Sequence, residues 1–313
     1  MALPNESKII IIPENILLEI FRYLPVKDRC IAGRVCKQWR RIVKDNSLWR
    51  HVNLLEYRLD LSKMWKVLRG HFSPCLLTMR IRGFVHTGCS KRRKASVSDA
   101  MLTELSIRCP NLWLLHLDDC NTDGLTLGCL PPTITDLSIT KSTWRPRWLR
   151  DRNDKSLPNL KALNLSSTVR VDNFDLEDIS QWTDLNSLCL NGCYRISDVE
   201  VIAKNLVQLE LLDLSGTWID ELGIHHISRH LKKLKKLYVA ECKDVNDSCL
   251  ATIASGLPGL ELLDISFCEN ISLDGVKSLS GLYQLTCLAM RRKEKFNVED
   301  VRKCFSHDLK IET

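Results

Sequence analysis

His226 and His230 stand four residues apart, a spacing that sets two imidazoles on one helix face and serves zinc sites of the H-E-x-x-H kind. The general-base glutamate of that motif is missing. The stretch reads as a helix with this face outward, so a solvated surface is expected and no metal ligand is assigned. Neither G-x-x-x-x-G-K-[ST] nor G-x-G-x-x-G occurs to cradle a phosphate, and the absence of G-x-S-x-G removes the nucleophile elbow. The 14 cysteines include no C-x-x-C pair and are too dilute in 313 residues for a disulfide scaffold, so most are expected to be small buried residues. No catalytic residue, cofactor or metal is predicted.

Two basic stretches remain. Lys91-Arg-Arg-Lys94 has the composition of a nuclear import signal, and Arg93-Lys-Ala-Ser96 that of a basophilic-kinase site, with a solvated loop as the default for both. Trp144-Arg-Pro-Arg-Trp-Leu-Arg-Asp-Arg152 sets Trp144 and Trp148 among arginines, either packed on the body of the protein or held out as interface anchors. Residues 1–156 hold 27 Lys/Arg against 15 Asp/Glu, and residues 157–313 hold 18 against 23. A basic half suits nucleic acid, an anionic surface or an acidic protein, and charge alone does not choose. Apolar runs such as Ile9 to Ile12 are far too short to span a bilayer, and the first residues lack the basic and apolar regions of a secretory signal. No membrane partner is predicted, and a cytoplasmic and/or nuclear location is expected.

The elements that position these residues come from a repeat. L-x-x-L-x-L recurs with starts at Leu112, Ile134, Leu160, Leu185, Leu209, Leu234, Leu260 and Leu285, at intervals of 22 to 26 residues, and a weaker copy starts at Leu76. Each copy reads as a short strand with alternating apolar residues, then a turn and a return helix that brings the next strand parallel to the last. Val199, Ile202, Ala203 and Leu206 share one helical face, as do Ile224, Ile227 and Leu231. Asp172, Asp198, Asp220 and Asn246 stand where they could cap these helices. Residues 76–305 thus resemble the leucine-rich-repeat family in its cysteine-containing class. In that family the position held here by Cys120, Cys193, Cys242 and Cys268, or by Thr168 and Thr217, points inward beneath the strand-to-helix turn.

Residues 9–49 break the repeat. Ile16, Leu17, Ile20, Phe21 and Leu24 form an apolar helical stripe after Pro13, and Ile31, Val35 and Trp39 stand four apart in the next helical stretch. A piece this small needs its apolar surface covered, by the repeats or by another protein. Ile12-Pro13-Glu14, the stripe, Asp28, Val35-Cys36-Lys37-Gln38-Trp39-Arg40 and Leu48-Trp49 resemble the F-box motif, with Ile12 replacing a common leucine and Arg29 a common apolar residue. An F-box followed by leucine-rich repeats resembles the F-box/leucine-rich-repeat family over essentially the whole chain.

That resemblance implies an α/β fold: a horseshoe solenoid with parallel strands on the concave face and helices on the convex face, behind an all-α F-box. The expected boundaries are a tail at 1–8, the F-box at 9–49, a junction and N-terminal cap at 50–75, repeats at 76–305 and a C-terminal cap at 306–313. It further implies a substrate-recognition subunit of an SCF-type cullin-RING E3 ubiquitin ligase, itself without catalysis. Pro13, Ile16, Leu17, Ile20, Phe21, Leu24, Val35, Cys36, Trp39, Leu48 and Trp49 are the expected contacts to the adaptor, which carries the cullin and RING subunits. The outward residues of the strands form a ladder expected to hold the protein substrate, represented by Arg80, Arg82, His116, Asp118, Asp213, Tyr238 and Asp264, with Trp144 and Trp148 on the insertion. The rival readings are a scaffold or inhibitor outside any ligase and a basic nucleic-acid-binding protein. The second is weakened because much of the positive excess lies in residues 1–50, which the F-box already assigns to a protein partner.

Overall fold

A computed structural model describes residues 12–86, 93–151, 156–291, 298–305 and 309–312. Three short helices open the chain: α1 (Glu14–Arg22), α2 (Val26–Ala32) and α3 (Lys37–Val43). Pro13 and Pro25 stand immediately before α1 and α2, where a missing N–H costs no helical hydrogen bond. The Cys36 thiol caps α3 by accepting from the Trp39 N–H. Leu17, Phe21, Ala32, Ile42, Val43, Leu48 and Trp49 are buried together, with Phe21 and Trp39 meeting edge to face at 5.2 Å. Arg29, the departure from the motif, has a structural role: its guanidinium donates to the carbonyls of Phe21, Arg22 and Leu48, tying three segments.

From Trp49 the chain passes within two residues into β1 (His51–Asn53), then α4 (Leu61–His71) and β2 (Thr78–Arg82). A hairpin of β3 (Phe84–His86) and β4 (Arg93–Ala95) follows, and α5 (Asp99–Arg108) leads to β5 (Leu114–Asp118) and β6 (Asp136–Thr140). Beyond lie β7 (Ala162–Asn164), α6 (Asn173–Ile179), β8 (Ser187–Cys189), α7 (Glu200–Asn205), β9 (Leu211–Asp213), α8 (Glu221–His230) and β10 (Lys236–Tyr238). The chain continues through α9 (Asp247–Gly256), β11 (Leu262–Asp264), α10 (Leu273–Lys277), β12 (Cys287–Ala289), α11 (Val298–Arg302) and β13 (Lys310–Glu312). All strands except the hairpin join one parallel sheet of 11 in chain order, so the solenoid advances one strand per repeat. The nine strands read from the sequence gain β1 at one end and β13 at the other.

The repeat leucines are buried, and one continuous core runs from Leu17 in α1 to Leu309 before β13. After each strand from β5 to β11 one residue takes a left-handed turn, with Ser167 at φ 56°, Gly192 at 71°, Gly216 at 68° and Glu241 at 60° among them. The N–H of that residue donates to a carbonyl of the next repeat, as in Gly192 to Ser215 and Gly216 to Ala240, which continues the ladder beyond the strands. Beneath these turns the cysteine and threonine column is buried, and most of its members donate to a carbonyl of the preceding repeat. Cys193 donates to Leu165 at 3.2 Å, Cys242 to Leu214 at 3.2 Å, Cys268 to Val239 at 3.1 Å and Thr168 to Ile139 at 2.6 Å. Burial pushes the Cys193 thiol up to about 12 and those of Cys120 and Cys242 up to about 11, so all three stay protonated; Cys193 and Cys242 donate, and Cys120 accepts from the Ser142 hydroxyl.

Asp172, Asp220 and Asn246 cap α6, α8 and α9, and Asp198 accepts from the Glu200 N–H at the start of α7. No described helix is long and apolar enough to cross a membrane.

Candidate functional site

The stripe of α1 divides by phase. Residues one apart point about 100° apart on a helix, so Leu17 and Phe21 go inward and Ile16 and Ile20 go out. Ile16, Ile20 and Ile31 are about half exposed, and Val35 and Tyr23 are 64% and 82% exposed. Pro13 and Cys36 are also exposed, and Leu24 and Trp39 are half-buried. These residues leave an unfilled apolar surface on the three-helix unit.

Four expected adaptor contacts are corrected. Leu17, Phe21, Leu48 and Trp49 are at most 2% exposed and hold the unit together instead of reaching a partner. The Trp49 indole N–H donates to the Val43 carbonyl at 2.7 Å, leaving no polar handle outward. Tyr23 and Ile31, absent from the expected contacts, belong to the exposed surface. The signal for Tyr23 was its place three residues after Ile20 and seven after Ile16, on the outward phase.

The second surface is the ladder. In register across the sheet stand Asn53, Arg80, His116, Ser138, Asn164, Cys189, Asp213, Tyr238 and Asp264. At about 4.8 Å per strand, Arg80 and Asp264 are roughly 34 Å apart along the sheet. Small residues in the middle leave a depression of about 380 Å³ lined by Arg80, His116, Asp136, Ser138, Asn164 and Cys189. Arg80 is exposed at one end, and Asp213, Tyr238 and Asp264 are partly exposed at the other. Asp213 and Asp264 each use one carboxylate oxygen to accept the N–H two residues on, at 3.0 and 2.9 Å, which ends the strand and fixes the side chain.

Asp118 differs from its neighbours. It is buried, with its carboxylate accepting from the Thr140 hydroxyl at 3.0 Å and lying 3.5 Å from the Arg82 guanidinium. It therefore orients Arg82 and is corrected from contact to support. His116 Nε2 lies 3.0 Å from the same Thr140 hydroxyl, and burial holds its pKa below the ordinary histidine value against the opposing pull of Asp118.

The insertion is corrected as well. Trp144 and Trp148 are at most 1% exposed, meet edge to face at 5.0 Å and occupy the core where the next repeat places α6. The Trp148 indole donates to the Leu125 carbonyl at 2.6 Å. Beside them the Asp175 carboxyl is fully buried, and desolvation pushes it up to about 6 although Trp144 and the N–H groups of Asp172 and Arg147 favour its anion. Ser96 is also interior, its hydroxyl donating to the Leu59 carbonyl, so the kinase-site expectation fails. Of the basic run, Lys91 and Arg92 lie outside the described residues. His226 and His230 stack at 6.5 Å, half-buried, and the described residues hold no group of three side chains fit for a metal.

Known proteins agree with this arrangement. Residues 9–55 match the F-box-like family. The chain is similar to human F-box/LRR-repeat protein 12, at 32% identity over 80% of this chain and 77% of that protein, and to its Bos taurus counterpart at 30% identity over the same shares. Among solved structures, an internalin from Listeria monocytogenes shares the fold, with a TM-score of 0.53 and 18% identity over 84% of this chain and 66% of the other. The motif at one end, the repeats along the rest and this degree of identity place the chain in the F-box/LRR-repeat family.

Proposed function

We propose that the chain is the substrate-recognition subunit of an SCF-type cullin-RING E3 ubiquitin ligase. Its F-box docks the adaptor, and through it the cullin and RING subunits, while the repeat ladder holds a protein target for ubiquitination and proteasomal degradation. The chain supplies no catalytic residue and works in the cytoplasm or nucleus. It acts by holding lysines of the target near the transfer enzyme, which raises their effective concentration.

The observation that carries this reading is the exposed apolar set Ile16, Ile20, Tyr23, Ile31 and Val35 on an F-box whose own core is already complete. Such a patch on a small helical unit marks a protein interface. On the ladder, the target segment suited to this row carries acid over Arg80 and a base over Asp213, Tyr238 and Asp264. The continuous core from F-box to repeats gives the two surfaces a fixed separation.

The test is co-purification of the intact chain and an Ile20→Asp/Val35→Asp variant with the adaptor from proteasome-inhibited cells. Both substituted side chains are exposed, so the fold is retained. Loss of adaptor and cullin with retention of other captured proteins is expected. Undiminished adaptor capture would remove the F-box surface from the reading, and capture of targets whose turnover ignores the variant would make the chain a scaffold or inhibitor.

A further inference from the structure

Beyond the concave row and the F-box, the strand-to-helix turns build a third surface. Two residues after the left-handed positions Ser167, Gly192, Gly216 and Glu241 come Val169, Tyr194, Trp218 and Lys243. The turns stack closely: a side-chain carbon built on Gly216 would lie 3.6 Å from the Gly192 Cα, and one on Gly192 would lie 3.3 Å from the Ser167 hydroxyl. The four side chains therefore form a column of roughly 14 Å at about 4.8 Å per repeat. Tyr194 is 50% and Trp218 54% exposed, and Phe174, on the adjoining first turn of α6, is 55% exposed. Aromatic side chains this exposed in three consecutive repeats are not explained by the solenoid core, which is full without them.

Charge around the column is unbalanced in a particular way. Arg147, Arg170, Arg195 and Lys243 are exposed and form no ion pair among the described residues. Arg147 lies over the Phe174 ring at 5.0 Å and Lys243 over Trp218 at 5.5 Å. The neighbouring carboxylates of Asp172, Asp198 and Asp220 instead accept backbone N–H groups where α6, α7 and α8 begin. Cations without an ion pair among the described residues thus alternate with exposed rings, while each of these acids turns an oxygen to the start of a helix, so the complementary ligand is anionic with apolar side chains between its charges. Glu241, Asp244 and Glu269 close the far end of the column, and residues 157–313 carry more acid than base, which disfavours the long phosphate track of a nucleic acid.

We propose that this turn edge, Val169, Phe174, Tyr194 and Trp218 with Arg147, Arg170, Arg195 and Lys243, is a second docking site, which takes an extended acidic segment of a partner protein. Apolar side chains of the segment cover the rings, and its carboxylates meet the four cations. At about 3.4 Å per residue, four or five residues span the column. The site works independently of adaptor docking.

Fluorescence anisotropy on the full chain tests it, with a fluorescein-labelled peptide of alternating glutamate and leucine, its lysine–leucine counterpart and labelled oligouridine as probes. The glutamate peptide is expected to bind, at least tenfold more weakly to Tyr194→Ser/Trp218→Ser and with restored affinity to Tyr194→Phe/Trp218→Phe. Arg170→Glu/Arg195→Glu should move the preference toward the lysine peptide, and melting temperatures should be unchanged because every altered side chain is exposed. Absence of binding by the native chain, equal binding by the serine variant, or equal affinity for the lysine peptide would each overturn the proposal. Tighter binding of oligouridine that is lost in the same variants would replace it with a nucleic-acid edge.

Discussion

The indole of Trp49 and the imidazole of His71 stack face to face, 4.0 Å between centroids at an interplanar angle of 18°. Trp49 closes the helical F-box, and His71 is the last residue of α4, the first return helix of the solenoid. One ring pair therefore joins the two parts of the chain across their boundary, with the Trp49 N–H committed to Val43 on the F-box side.

Trp49→Ala should cost about 3–5 kcal/mol, the usual range for emptying a buried tryptophan site. Because one core crosses the boundary, the F-box signal and the first repeats should lose stability together. Thermal melts followed by far-ultraviolet circular dichroism and by adaptor binding check this; a loss confined to the F-box would show the two cores to be separate.

The stack is also sensitive to acid. Burial, aided by Lys44, lowers the His71 pKa below 6.5, so the folded state holds the neutral ring and the unfolded state takes up a proton first. Stability is then unaffected well above pH 6.5 and falls as pH drops through and below it. Urea midpoints measured from pH 7.5 to 5 should fall in the native chain relative to those of His71→Phe, which keeps the stack without the titration.

Asp175 works in the opposite direction. Its folded pKa of about 6 lies above the ordinary 3.8, so the folded state retains a proton that the unfolded state has lost between those values. Its contribution is greatest below pH 4 and is lost as pH rises through 6. Asp175→Asn should flatten that part of the stability profile, by about 3 kcal/mol relative to the native chain. Unchanged slopes in the two proteins would place the titration elsewhere.

Trp148 and Trp218 should separate cleanly. Trp148→Ala empties a core site and leaves the Leu125 carbonyl unpaired, an expected loss of about 3–5 kcal/mol. Trp218→Ala, at an exposed position, should leave the melting temperature within about 2 °C, consistent with surface changes under about 0.5 kcal/mol.

On the ladder, Arg80→Glu and Asp213→Lys reverse charge at opposite ends of one row. Each should weaken capture of a target about tenfold or more; Arg80→Glu should leave the melting temperature unchanged, while Asp213→Lys should also lower it by giving up the bond from the Ser215 N–H. Equal capture by both variants would move target binding off the concave face.

The strands and return helices were legible because burial imposes two strict periods, alternation in a strand and i, i+4 in a helix, and Leu188 or Ile202 satisfies one of them unambiguously. In α1 the same logic was ambiguous. Ile16 and Leu17 are equally apolar, and only the packing of α3 decides that Leu17 goes in and Ile16 stays out. The insertion was ambiguous for a related reason: Trp144 and Trp148 stand four apart, but Pro146 between them breaks the helix, and among these residues only a short 3-10 turn at Trp148–Asp151 forms, yet the two rings fill volume that a helix would otherwise fill. Asp118 was read as an open contact because strand alternation turns it outward, while the burial comes from Thr140 and Arg82 on the neighbouring strands. The turn edge was not legible as a surface, since its members are some 25 residues apart and meet only through the stacking of the turns.

The thiol and hydroxyl column has a direction. Cys193, Cys242, Cys268 and Thr168 all reach backward, to carbonyls belonging to chain that precedes them by 25 residues or more. As the ribosome releases the polypeptide, each new coil finds its acceptor already in place, and none has to wait for chain not yet made. The F-box, which precedes the repeats, is the foundation course on which every later coil is laid.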